Sequence, residues 1–259
     1  MNSNGPTDRP SDSPPSLVVA MTGASGSIYA VRLIQLLCRL GRTVHLTISP
    51  SAAQVARQEL GLSISVNRFD PSVLGDLAPG QLHFHAHQDF MAGIASGSFP
   101  TGGMVVIPCS MSTLSAIAHG ITNNLITRAA DVHLKERRKL ILVPRETPLS
   151  LIHLENMTQV TRAGAIVLPA MPGWYHRPQS LEDLVDFIVA RVCDQLGIPN
   201  NLIRRWGEEG RAGALAKPRG EPRDRNEDSA VTASVNPAAD RTVEPGGIEL
   251  EPSPRGPSR

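Results

Sequence analysis

The chain has 259 residues, 25 Lys and Arg against 24 Asp and Glu, and a formal net charge of +1, which leaves no global electrostatic case for binding nucleic acid or a membrane surface. Its three cysteines, Cys38, Cys109 and Cys193, lie far apart without a CxxC pair, which argues against zinc and against a disulfide framework and fits buried free thiols in a reducing compartment. No run approaches the roughly 18 consecutive apolar residues of a transmembrane helix, and the N-terminus lacks the segments of a signal peptide, so the expected location is cytoplasmic.

Residues 1–16 are Pro, Ser, Asp and Asn with almost nothing apolar, and from Gly207 to the end the chain turns to Gly, Pro, Arg, Glu and Asp. Such compositions cannot bury enough surface to offset chain entropy. The expectation is a disordered extension at 1–16, one folded domain at 17–206 and a disordered polar tail at 207–259. Within the domain, Leu17–Met21 (LVVAM) reads as a buried strand. Ser27–Leu40 has helical spacing and stops before Gly41. Val44–Ile48 reads as a second strand and Ser51–Leu60 as a helix ended by Gly61. Residues 62–103, rich in Gly, Pro, Ser and His, read as a long irregular excursion at the ligand edge. Met104–Ile107 is a further strand feeding a helix at Ser110. An amphipathic helix carrying Arg128 and Lys135 precedes a strand at Leu140–Val143, and a helix at about 150–163 a strand at Ala165–Leu168. A last helix covers Leu181–Leu196. Continuous apolar strands between amphipathic helices indicate a parallel sheet covered on both faces, hence an α/β, flavodoxin-like or Rossmann-like doubly wound sheet in a three-layer sandwich.

In such sheets ligands sit beyond the carboxyl ends of the strands, and four stations fall there. MTGASGS, Met21–Ser27, supplies glycines for a tight turn, the hydroxyls of Ser25 and Ser27, and the N–H groups of a helix start, a cradle for phosphate. It lacks the GxGxxG dinucleotide pattern, so a mononucleotide phosphate fits better. PCSMST, Pro108–Thr113, repeats the chemistry at a second strand end. Pro144, Arg145 and Glu146 follow the LILV run, where cations suit an anionic ligand. PAMPGWYHRPQS, Pro169–Ser180, places Trp174, Tyr175 and His176 in a stiff loop, as a ligand wall or subunit contact in a chain with only 3% aromatic residues. Glu59, taken alone, reads as a solvated helix residue. His83, His85 and His87 alternate and would share one face of a strand, yet only Asp89 stands near them, so no metal is expected.

Taken together, MTGASGSIYAVRL, the run from PCSMST through LVPRETPLSLIHLENM, and LPAMPGWYHRPQSLEDLVDFIVAR resemble the flavin prenyltransferases of the UbiX/Pad1 family over nearly all of 17–206. The resemblance implies transfer of a dimethylallyl group from dimethylallyl phosphate to N5 and C6 of reduced FMN. The product, prenylated FMN, serves UbiD-type decarboxylases in ubiquinone biosynthesis or aromatic acid decarboxylation. It also implies a metal-independent enzyme that assembles as a homododecamer. Carried onto this sequence, Gly23, Ala24, Ser25, Ser49, Ser110, Met111, Ser112, Thr113 and Arg145 would contact FMN. Lys135, Arg145, Glu146, Tyr175, Arg191, Arg128 and Trp206, with Ser96 and Gly97, would hold the prenyl phosphate. Ser25, Glu59 and Glu146 would be catalytic.

The chemistry of that set is coherent. An allylic phosphate ionises to a delocalised cation and a phosphate dianion that Lys and Arg stabilise without a metal. Glu146 would relay a proton to the leaving phosphate, Glu59 with Ser25 would manage protons at the flavin, and the face of Tyr175 or Trp206 would stabilise the cation. Phe90 stands where a Trp is expected in relatives, and the polar tail lies outside the family pattern. Two alternatives are a flavin-dependent decarboxylase of cysteine-containing peptides or phosphopantothenoylcysteine, whose PxMNxxMW-like loop is here PAMPGWYH, and a non-catalytic flavin carrier, which would not need a second phosphate clamp.

Overall fold

The computed structural model describes residues 14–77 and 81–207. The expected extension at the N-terminus, apart from residues 14–16, and the tail beyond Gly207 lie outside the described residues. Five strands fall where apolar runs require them: β1 (Leu17–Met21), β2 (Val44–Ile48), β4 (Gly103–Cys109), β5 (Leu140–Pro144) and β6 (Ile166–Val167). All residues of β1, β2, β4 and β5 are buried, the pattern of a sheet covered on both faces. A sixth strand, β3 (Leu82–His85), lies within the stretch read from sequence as irregular, and it pairs parallel to β2 with His45 opposite His83.

The sheet is parallel throughout, in the order β3-β2-β1-β4-β5-β6. Without the β3 edge, the remaining five strands renumber to the 2-1-3-4-5 flavodoxin order; with it, the order is that of the Rossmann sheet. The topological switch point falls between β1 and β4 in either description. The helices are α1 (Ser27–Arg39), α2 (Pro50–Leu60), α3 (Met111–Ala118), α4 (Leu125–Lys135), α5 (Leu151–Arg162) and α6 (Leu181–Leu196).

Alternation along the strands divides the interior in two. Leu17, Val19, Met21, Leu46 and Ile107 face a core shared with Leu33 and Leu37 of α1 and with Ile188 and Val192 of α6. Val18, Ala20, Met104, Val106 and Leu142 face a second core with Leu114 of α3, Ala129 of α4 and Val160 of α5. Each core removes many aliphatic side chains from water at about 25 cal/mol per Å², so the strand ends sit on a stiff base. Cys38, Cys109 and Cys193 are all buried free thiols. No helix among the described residues is long and apolar enough to cross a membrane.

Candidate functional site

Two strand ends at the switch point, those of β1 and β4, and the neighbouring end of β2 each feed a helix. Ser49 accepts from Ala52 N at 3.1 Å and caps α2, while Ser110 accepts from Thr113 N at 3.2 Å and caps α3. Helix α1 has no such local cap: its N-cap is Gly26, at φ 111°, a conformation that glycine adopts without strain. Glu59 supplies the missing acceptor from the far end of α2. Its carboxylate accepts from Gly26 N at 3.0 Å and from Ser27 N at 2.8 Å. Burial alone would push this carboxyl upward, but hydrogen bonds from the Ser25 hydroxyl and from the Ser27 and Gly26 amides outweigh it and hold it below its ordinary value. Glu59 is therefore a held carboxylate at neutral pH, exposed as its sequence context suggests but tied to the α1 turn.

Helix α2 lies along the first turn. Its first turn touches Gly23, where an added Cβ would meet Ser51 Cβ at 2.5 Å, and its last turn reaches Gly26 through Glu59. Gly23, Ala24 and Ser25 are thus walled by α2 on one side.

The second turn, Ser110–Thr113, is tied to the first by a residue that the sequence reading passes over. Thr22 is 2% exposed. Its hydroxyl donates to Pro108 O at 2.8 Å and accepts from Ser110 N at 2.7 Å, and its own N–H donates to Pro108 O at 3.2 Å. Ser110 also donates to the Thr113 hydroxyl at 3.0 Å, so the cap is a closed local network. Met111 is buried and Ser112 exposed. The leading N–H groups of α3, which a helix leaves without intrahelical partners, point with the α1 turn toward one edge.

Arg145 and Glu146 directly follow Pro144, which pairs with Cys109 at the entry to this second turn. They line a cleft with Thr147, Met157, Pro169 and Met171. Glu146 accepts from Thr147 N at 3.1 Å.

Lys135, with Ser96 and Gly97 beside it, does not join this edge within one chain. Lys135 closes α4 at the opposite, amino end of β5: it pairs with Glu136 and sits against Gly97. Arg138, in the turn entering β5, donates to Gly97 O at 2.6 Å and Phe99 O at 2.7 Å, fixing the Ser96–Phe99 loop there. Arg128, two turns before Lys135 on α4, donates to Ala95 O at 3.0 Å and pairs with Asp131 at 3.0 Å. Tyr175, Arg191 and Trp206 form a third group along α6. Tyr175 meets Trp206 edge to face at 5.4 Å, and Arg191 and Arg205 both pair with Asp194 at 2.8 Å. The hydrogen bond from Arg205, more than any other cause, pulls the Asp194 carboxyl below its ordinary range. Trp174 and Trp206 are 69% and 82% exposed, so the aromatic loop and the end of the domain present bare apolar surface.

The alternating histidines occupy β3 and its exit. His45 Nδ1 lies 2.9 Å from His85 Nε2, and the His45 ring stacks on both His83 and His85. Among the described residues no group of three or more His, Cys, Asp or Glu side chains is arranged to hold a metal.

The "Flavoprotein" family model matches residues 7–193. A "Flavin prenyltransferase UbiX" of Alkalihalophilus pseudofirmus is 51% identical over 193 residues, 74% of this chain and 96% of the relative. Another of that name from Pseudomonas aeruginosa is 50% identical over 201 residues, 76% of this chain and 96% of the relative. Among solved structures, AnUbiX (PadA1) in complex with FMN and dimethylallyl pyrophosphate superposes with a TM-score of 0.67 at 43% identity, covering 74% of this chain and 97% of that one. A dodecameric FMN-dependent UbiX-like decarboxylase from Escherichia coli O157:H7 gives 0.66 at 44% identity, covering 74% and 98%.

Proposed function

Since the chain belongs to the Flavoprotein family and, within it, to the UbiX flavin prenyltransferases, we propose that it joins a dimethylallyl group from dimethylallyl phosphate to N5 and C6 of reduced FMN. The observation that carries this reading is the pair of turns at the β1 and β4 ends, the first capped by Glu59 and the second by Ser110, with Arg145 and Glu146 following the strand that pairs beside the second. Reduced FMN supplies the nucleophilic ring atoms, and this chain's donor set fits it: serine hydroxyls, the α3 N-terminus and a guanidinium suit a polar ring edge and a phosphate.

Each side chain then has a task. Gly23, Ala24, Ser25, Ser49, Ser110–Thr113 and Arg145 hold the flavin. Arg145 also faces the departing phosphate, and Glu146 gives it a proton. Glu59, kept as a carboxylate, accepts from the Ser25 hydroxyl and through it takes a proton from the ring-closing site. Tyr175 and Trp206 offer π faces to the allylic cation. Ser96, Gly97, Arg128, Lys135 and Arg191 complete the phosphate clamp.

Lys135 and Arg145 lie at opposite ends of β5, which at about 3.3 Å per residue is about 17 Å long. A clamp that uses both is closed by a second copy of the chain, and a homododecamer supplies one. The product passes to a UbiD-type decarboxylase.

The test is anaerobic incubation of the protein with reduced FMN and dimethylallyl phosphate, followed by flavin mass. A gain of one C5 unit supports the transferase, and unchanged flavin refutes it. Glu146→Gln should bind both substrates and lose most of the turnover; normal turnover would remove the proton relay.

A further inference from the structure

We infer that Thr22 is a positioning residue that sets the spacing of the two flavin-facing turns, by standing in for the strand ladder where that ladder ends. Strands β1 and β4 pair in register only as far as Ala20 and Val106, and beyond Val106 the pairing of β4 with β5 also shifts register before Cys109. Pro108 has no N–H to continue the pairing. Here the Thr22 hydroxyl bridges Pro108 O and Ser110 N, the residue that caps α3. The Thr22 N–H adds a second bond to the same carbonyl. One side chain thus joins the last residue before turn Gly23–Gly26 to the first residue of turn Ser110–Thr113.

The position leaves no ready substitute for the hydroxyl. Thr22 is 2% exposed, so a side chain of the same shape without oxygen leaves the part-buried Ser110 N–H without its acceptor and the Pro108 carbonyl with the Thr22 N–H alone. The relief is a displacement of Ser110 and the start of α3 relative to the first turn. The donors of the two turns then converge in only a fraction of molecules, and the apparent flavin affinity falls by that fraction. Thr22 acts through Ser110 and the α3 N-terminus, not on the reacting atoms.

This inference rests on the flavin reading of the two turns. The test compares the full chain with Thr22→Val and Thr22→Ser, using oxidised and reduced FMN as probes. Thr22→Val is expected to weaken FMN binding by about ten-fold or more. It should raise KM for reduced FMN more than it lowers kcat, and alter the visible band shape of bound flavin. Thr22→Ser should restore all three to near wild type. If Thr22→Val gives no folded protein, Thr22→Ala is measured instead, with the same loss expected. Wild-type affinity in the folded Val or Ala variant, even with a lowered melting temperature, overturns the positioning role and leaves the function intact. A wild-type chain that binds no FMN overturns the flavin reading and this inference with it. One that binds FMN without adding a C5 unit overturns only the transferase.

Discussion

At the scale of single residues, Glu59 shows how a non-local partner changes a residue's meaning. Its carboxylate replaces the cap that Gly26 cannot provide, and the charge sits at the positive end of α1. Glu59→Gln keeps the shape but offers one acceptor oxygen in place of two, so a loss of about 0.5–1 kcal/mol is expected near neutral pH. The folded carboxyl lies below its ordinary 4.5. Its contribution is therefore complete above that value and disappears as pH falls through the lowered one. Urea unfolding of both proteins across acid pH should show the gap closing on acidification; a constant gap would contradict the capping role. Gly23 makes the complementary case. A methyl there meets Ser51 Cβ at 2.5 Å, against a helix start and not the end of a flexible side chain. Gly23→Ala should cost about 1–3 kcal/mol by overpacking and should weaken FMN binding as α2 is displaced, which calorimetry and flavin titration would measure together. Nothing adjacent to Glu59 in sequence signals any of this, because Gly26 and Ser27 lie more than thirty residues away. Thr22 was equally illegible: a threonine at the end of an apolar run looks like one more strand residue until its two bonds to the β4 exit are seen.

At the scale of elements, runs such as LVVAM and LILV could be read directly, since a strand buried on both faces has no polar alternation to disguise it. The β3 strand was not legible, because Leu82–His85 is only partly buried, alternates with histidines and is set among glycine and proline. Those histidines make the edge sensitive to pH. His45 is lowered from 6.5 to about 4, first by burial and then by the neighbouring His85 and His83. His85 is also lowered, chiefly by burial, with Asp89 opposing. Phe99 closes the remaining side, its ring 5.1 Å from His45 and edge-on. The unfolded chain therefore binds more protons than the folded one between about 6.5 and about 4. Stability from this cluster is complete above that window and is lost as pH falls through it. His45→Gln should flatten the slope of unfolding free energy against pH in this window, and an unchanged slope in urea titrations would show that the histidine stack does not govern the edge.

At the scale of the whole molecule, the residues grouped by resemblance fall in three places on one chain, and the sequence had no means of showing this. Adjacency of Lys135 and Arg145 in one short segment suggested a single clamp, yet a helix end and the far end of the strand that follows it are opposite edges of a sheet. The geometry of β5 separates them, and the contacts of Lys135 with Glu136 and Gly97 keep its ammonium at the amino edge. If a second copy closes the site, a defect in one half can be complemented by a defect in the other. Lys135→Ala and Glu146→Gln homo-oligomers should each be nearly inactive. Subunits of the two variants, dissociated and reassembled at equal amounts, should regain about a quarter of wild-type turnover, because random mixing pairs one intact half with the other at about that fraction of interfaces in a symmetric assembly. Mixing without dissociation should restore nothing, which controls for contaminating wild type. A site contained within one chain predicts no recovery on reassembly, since every subunit then carries one broken half of its own clamp.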